Sequence, residues 1–225
     1  TVPMSVPTVS VLALVGVGSR FEEEKKLGIS HFVEHMVFKG TKKYPTAQIV
    51  ASTVDAIGAE FNAFTSKEYT GFYVKAASDR VEVGLDIVSQ FLGAALLRAA
   101  DLEREKGVIV EEINMYEDTP ARRIGDIFDQ LIYEGHELGR DIIGSKETVT
   151  GLAREDFVEH MGVWYKPGNI VLGLAGDRER IENGQLRIEN YFKDKQQETN
   201  SPFDKLRVNK KQTITNNQFS NNQTK

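Results

Sequence analysis

The chain has 225 residues, 40% hydrophobic and 27% charged, the proportions of a globular protein with room for a sizeable core. Its formal charge of −5 argues against a nucleic-acid partner, which usually demands a basic face. It contains no cysteine, which excludes a disulfide framework and any thiolate metal site, so a metal here must rest on histidine and carboxylate.

In chain order, Val6 to Val17 is apolar and β-branched, too short to span a membrane, and its part from Thr8 to Val17 predicts a buried strand. The chain opens at Thr1 already in strand-like sequence, so a leading segment, with any targeting signal, is expected to be missing. Gly18-Ser19-Arg20 breaks the strand, and Glu22 to Lys26 reads as a solvated loop. A helix is expected from about Gly28 to Phe38, ended by Gly40. A second should cover Ala47 to Ile57, capped by Thr46 and stopped by Gly58. Glu60 to Lys75 alternates and is rich in Phe, Tyr and Thr, which predicts two strands with a turn near Ser66-Lys67. Helical periodicity returns over Arg80 to Leu97. Asp101 is expected to cap a helix to about Tyr116, Asp118-Thr119-Pro120 turns the chain, and Ala121 to Tyr133 is helical again. The last elements are a helix over Arg154 to Tyr165, a turn at Pro167-Gly168-Asn169 and a strand over Ile170 to Ala175.

This order predicts an α+β fold, a mostly antiparallel sheet flanked by helices. One folded domain is expected over residues 1–192. From Lys193 to Lys225 the sequence is thick in Asn, Gln, Lys and Thr without a hydrophobic period, so residues 193–225 read as a low-complexity tail.

The chemistry concentrates at His31-Phe32-Val33-Glu34-His35. Two imidazoles four residues apart on a helix stand one turn apart on one face and can share an ion. This is H-x-x-E-H, the reverse of the H-E-x-x-H zinc helix. The plain alternative is ordinary packing of two helical histidines. A catalytic zinc takes three protein ligands and leaves a fourth position to water, so one more ligand is required. The acidic helix from Asp101 offers Glu103, Glu105, Glu111, Glu112 and Glu117. Glu105 and Glu112 are two turns apart and share a face, with Glu111 rotated from it by about 100°. Spacing alone does not choose between Glu105, Glu111 and Glu112.

Gly18-Ser19-Arg20 and the run from Gly28-Ile29-Ser30-His31 to Gly40-Thr41 resemble the zinc helix of the pitrilysin/insulinase family of metallopeptidases. The smaller bacterial and mitochondrial-processing-type members are the nearest in character. The resemblance continues through Asn62 to Thr70, Glu103 to Val108, Glu111-Glu112-Ile113, Asp118-Thr119-Pro120, His136 to Arg140 and Trp164 to Asn169, in that order. It covers roughly residues 10 to 177.

The resemblance implies a half-domain of the processing-peptidase type, acting as a zinc metalloendopeptidase on unfolded or extended peptides. It selects His31, His35 and Glu112 as ligands of one Zn2+, Glu34 as general base, and Glu105 as a supporting acid beside the metal. The ordinary alternative for Glu105 is a surface salt bridge with Arg104 or Lys106. It further implies that Asn62, Ala63 and Thr65 lie on a sheet edge beside the zinc, where a peptide substrate can add as a strand. Catalytic members have two homologous halves, so a second half-domain or subunit is the expected partner, with no nucleic acid and no membrane. The competing expectation is a non-catalytic partner subunit or peptide-binding module, which usually lacks the ligand set. His136 and His160 are not expected to be ligands. A bacterial cytoplasmic setting fits the absence of cysteine, as does a periplasmic one.

Overall fold

The computed structural model describes residues 2–182, so the tail expected over 193–225 and the end of the domain expected at 192 lie outside the described residues. Five strands form one sheet: β1 (Val2–Met4), β2 (Thr8–Val15), β3 (Glu60–Thr65), β4 (Thr70–Ala77) and β5 (Ile170–Asp177). Their order is β1-β5-β2-β4-β3. β2 is central and antiparallel to both β4 and β5, β3 is an antiparallel edge, and β1 runs parallel to β5 at the opposite edge.

The period-2 pattern decides the faces. Val9, Val11, Ala13 and Val15 of β2 are buried, and the register sets Val11 against Val74 and Ala13 against Phe72. Phe61, Ala63 and Thr65 of β3 lie on this same face, paired with Val74, Phe72 and Thr70. The α-helices that lie wholly within the described residues are α1 (Ile29–Val37), α2 (Ala47–Asp55), α3 (Val81–Gly93), α4 (Ala99–Glu117), α5 (Pro120–Ile132), α6 (Lys146–Gly151) and α7 (Arg154–Trp164). α3 packs on β2 and β4, with Gly84 admitting Val74 and Val11 at van der Waals distance. α1 lies over β3 and β4 and also touches α4 and α7. Phe72, Phe91, Tyr165, Phe32 and Phe157 fill the space between helices and sheet with tilted and edge-on ring contacts.

Glu22, at the head of the stretch expected to be a solvated loop, is buried, and Glu24–Lys26 forms a short helical turn; the expected helices and strands are present, with four differences. α4 begins at Ala99 with Arg98 as its cap residue; Asp101 lies in its first turn, where its carboxylate faces the positive helix end and binds Arg98 and Arg104. α3 stops at Gly93 because the chain turns there to pair Ala95 with Thr41. α6 was not expected, and β1 forms where the sequence is strand-like but no separate strand was assigned. α6 is six residues long and rests on a local signal, the reciprocal bonds of Ser145 and Thr148, and β1 is three residues held only by pairing with β5. Thr46 does cap α2 by accepting from the Ile49 N–H, and Gly58 follows with φ +60°. Pro120 opens α5 at the first helical position, where its missing N–H costs nothing. No helix among the described residues is long and apolar enough to cross a membrane.

Candidate metal centre

α1 is amphipathic. Ile29, Phe32, Val33, Met36 and Val37 are buried against the core, which turns His31, Glu34 and His35 toward α4 and the end of β3. On α4 the buried positions are Leu102, Glu105, Ile109 and Ile113. That stripe carries Glu105 inward and leaves Glu112 half-buried beside it, while Glu111 and Glu103 are exposed. Val108 is exposed too.

The two helices meet at the histidines. Glu112 Oε2 lies 3.4 Å from His35 Nε2 and 3.9 Å from His31 Nε2. The His31 and His35 rings stand 4.7 Å apart between centroids, and one ligand atom from each of the three residues falls within 4.8 Å of the others. Around a tetrahedral zinc with bonds of about 2.0–2.2 Å, neighbouring ligand atoms stand roughly 3.3–3.6 Å apart. The donor set, two imidazoles and a carboxylate, fits that ion.

A second ring of contacts surrounds these three residues. His35 Nδ1 is 2.9 Å from Glu105 Oε1, and Lys39 Nζ is 2.6 Å from the other oxygen of Glu105. Arg104 and Lys106 pair instead with Asp101 and Glu103, so Glu105 is not in a surface salt bridge with either neighbour. Thr65 Oγ1 donates to Glu34 Oε2 at 2.5 Å. Tyr116 helps to lower the Glu112 carboxyl, and the Arg122 guanidinium lies 4.9 Å from the Tyr116 ring centre.

Protonation follows from these neighbours. Burial, reinforced by the charge of His35 and opposed by Glu112, lowers His31 to about 4, which leaves a neutral imidazole able to donate its lone pair. Burial also pulls His35 down, but the bonds and charges of Glu105 and Glu112 override it and raise it to about 9. A cation must therefore displace a proton from His35 on binding. Burial pushes the Glu34 carboxyl up against the lowering effect of the Thr65 bond.

The sequence-predicted substrate residues sit as follows. The Ser66 N–H to Tyr69 C=O bond, together with the β3–β4 register, aims the N–H and C=O groups of Phe61, Ala63 and Thr65 away from β4, at the open edge. Ala63 is buried on the helix face, and its N–H donates to the side chain of Asn62 at 2.9 Å. Asn62 projects to the other face and is exposed. Thr65 lies against Glu34. His136 caps a short turn by accepting from the Leu138 N–H, and His160 is buried beside Ser30 and Tyr165, so neither approaches the centre. Lys39 and Tyr116 were not anticipated, although they stand four residues after His35 and Glu112 respectively and so on the same helical faces.

Residues 4–146 match the insulinase family, peptidase family M16. The chain belongs to this family. A zinc protease of Bacillus subtilis is 38% identical over 174 residues, covering 76% of this chain and 42% of the relative. The β subunit of the rat mitochondrial-processing peptidase is 36% identical over 171 residues, 76% of this chain and 35% of its own length. Among solved structures, a protease from Helicobacter pylori superposes with a TM-score of 0.74 at 26% identity, over 78% of this chain and 42% of that one. The chain thus spans less than half the length of these family members.

Proposed function

We propose that this chain is the zinc-binding N-terminal domain of a metalloendopeptidase acting on extended or unfolded peptides. The observation that carries the reading is the meeting of His31, His35 and Glu112, whose ligand atoms lie within 4.8 Å of one another, close enough to share one ion. These three residues would hold one Zn2+, which supplies an activated water and polarises the scissile carbonyl. Glu34 takes no part in the ligand set. Its carboxylate, oriented by Thr65, accepts the proton of the attacking water and returns it to the leaving amine. Glu105 holds His35 by its Nδ1 and keeps Nε2 facing the ion.

The free edge of β3 runs up to Thr65, and hence to Glu34. A peptide paired along Phe61, Ala63 and Thr65 would be held mainly through its backbone, which suits unfolded substrates of varied sequence. Asn62 must release the Ala63 N–H for such a strand to pair fully. The relatives are more than twice as long as the part matched, which supports the reading that a second, homologous half would complete the active enzyme.

Metal content and peptide hydrolysis of the wild-type chain and Glu34→Gln test the reading. Both should bind one zinc per chain; hydrolysis by the wild type alone should be slow, and Glu34→Gln should lower it by about 10²–10⁴-fold. Absence of zinc from both proteins would favour a peptide-binding module instead.

A further inference from the structure

The two histidines are braced differently. His35 is held from behind by Glu105, whereas His31 Nδ1 is buried with no hydrogen-bond partner. His31 is therefore aimed by the backbone that carries it, the first turn of α1.

That turn lacks the usual means of starting a helix. Its cap residue, Gly28, has no side chain to accept from the free N–H groups, and the first turn contains no acidic residue. Glu22, from the loop before the helix and only 5% exposed, fills the role with both oxygens. Oε2 accepts from the Gly28 N–H at 2.7 Å and Oε1 from the Ser30 N–H at 2.8 Å. His31 is the next residue. The carboxylate is tied down in turn, because Arg140 donates to the main-chain oxygens of Glu22 at 2.6 Å and Arg20 at 3.3 Å. Lys67, at the tip of the β3–β4 hairpin, donates to the Arg140 carbonyl and pairs with Asp129.

We propose that Glu22 is a positioning residue for the metal centre: its two-pronged grip on Gly28 and Ser30 sets the start of α1 and so points His31 Nε2 at the cation. The inference rests on the zinc reading above. It gives Arg140, and with it the block His136 to Arg140, a structural purpose, since the guanidinium fixes the loop from which Glu22 reaches.

The test compares the purified 225-residue chain with Glu22→Gln, Glu22→Asp and a control, Leu174→Ala, which opens the sheet core in β5 away from α1. Zinc affinity is measured by competition with a chromophoric chelator, ligand geometry by the visible absorption of the Co2+-loaded protein, and stability by urea unfolding without metal. Glu22→Gln should weaken zinc binding about 10–100-fold and alter the cobalt band, as loss of a partner that orients a ligand does elsewhere. Glu22→Asp, which keeps the charge on a shorter arm, should fall between. Leu174→Ala should lose stability with zinc affinity within about twofold of wild type. The inference is overturned if both Glu22 variants bind zinc like the wild type with the same cobalt spectrum, or if Leu174→Ala weakens zinc equally. Failure of the wild type itself to bind either ion would instead remove the zinc reading and the inference with it.

Discussion

Glu34 and Glu105 are both carboxylates beside His35, and their surroundings drive them apart. Burial raises Glu34, which has one hydroxyl bond to hold its charge. Glu105 is buried as well, yet the bonds from His35 and Lys39 outweigh that cost and lower it. Divergent environments of this kind separate a proton carrier from a permanently charged support. On the proposed zinc reading, replacing Glu105 with Gln should leave Glu34, the proposed proton carrier, in place while weakening zinc binding about 10–100-fold, measurable by chelator competition. His160 also bears on acid stability, beside His31, which burial lowers to about 4 as well. Burial, and next the charge of Lys26, lower His160 to about 4, below the ordinary value of about 6.5, so the unfolded chain takes up this proton first as pH falls. The stability it contributes is complete above about pH 6.5 and is lost toward pH 4, by about 2 kcal/mol between pH 7.5 and 5. Urea unfolding of wild type and His160→Gln at the two pH values should show a smaller acid loss in the variant, and the difference removes the opposing titration of His35.

At the scale of elements, α1 depends on close backbone approach as well as on its apolar stripe. Gly28 has φ +92°, and a Cβ there would collide with the Ile143 carbonyl; Gly144, at φ +78°, faces the Leu27 carbonyl from the other side. The two loops pass back to back because neither carries a side chain, and Thr148 Oγ1 closes the contact by donating to the Leu27 oxygen. Gly28→Ala should cost about 2 kcal/mol or more in unfolding free energy, from a disfavoured φ combined with a clash. An equally stable Gly28→Ala protein would contradict this geometry. Gly107, inside α4 with open space around the missing Cβ, provides the contrast: Ala there should be neutral or stabilising by up to about 1 kcal/mol.

Across the whole molecule, burial divides the apolar residues into two populations. Phe157 is wholly buried against Phe32 of α1, whereas Ile124, Ile127, Phe128, Leu131 and Ile132 of α5 form a stripe of helical period that stays more than half exposed. Thermal or urea unfolding should show Phe157→Ala losing about 3–5 kcal/mol and Leu131→Lys changing stability by less than about 0.5 kcal/mol. A large loss at Leu131 would mean that the stripe is covered in the folded chain. The same contrast explains the limits of periodicity as a guide: α5 has as clear an apolar face as α1, and the pattern itself does not reveal which face finds a partner.

Local information was enough for much of the architecture. An apolar, β-branched run identified β2, alternation identified β3 and β4, Thr46 marked a helix start, and the spacing of His31 and His35 placed two donors on one helical face, since each of these depends on neighbours within a turn or a strand. Choosing Glu112 from the residues of α4 alone was beyond that reach, because the choice depends on how α4 rotates as Leu102, Ile109 and Ile113 seek the core. The grip of Glu22 on α1, the bond of Thr65 to Glu34 and the brace of Arg140 join residues from separate segments. Such contacts carry no period in the chain; they exist only once long-range packing has closed the loops between them.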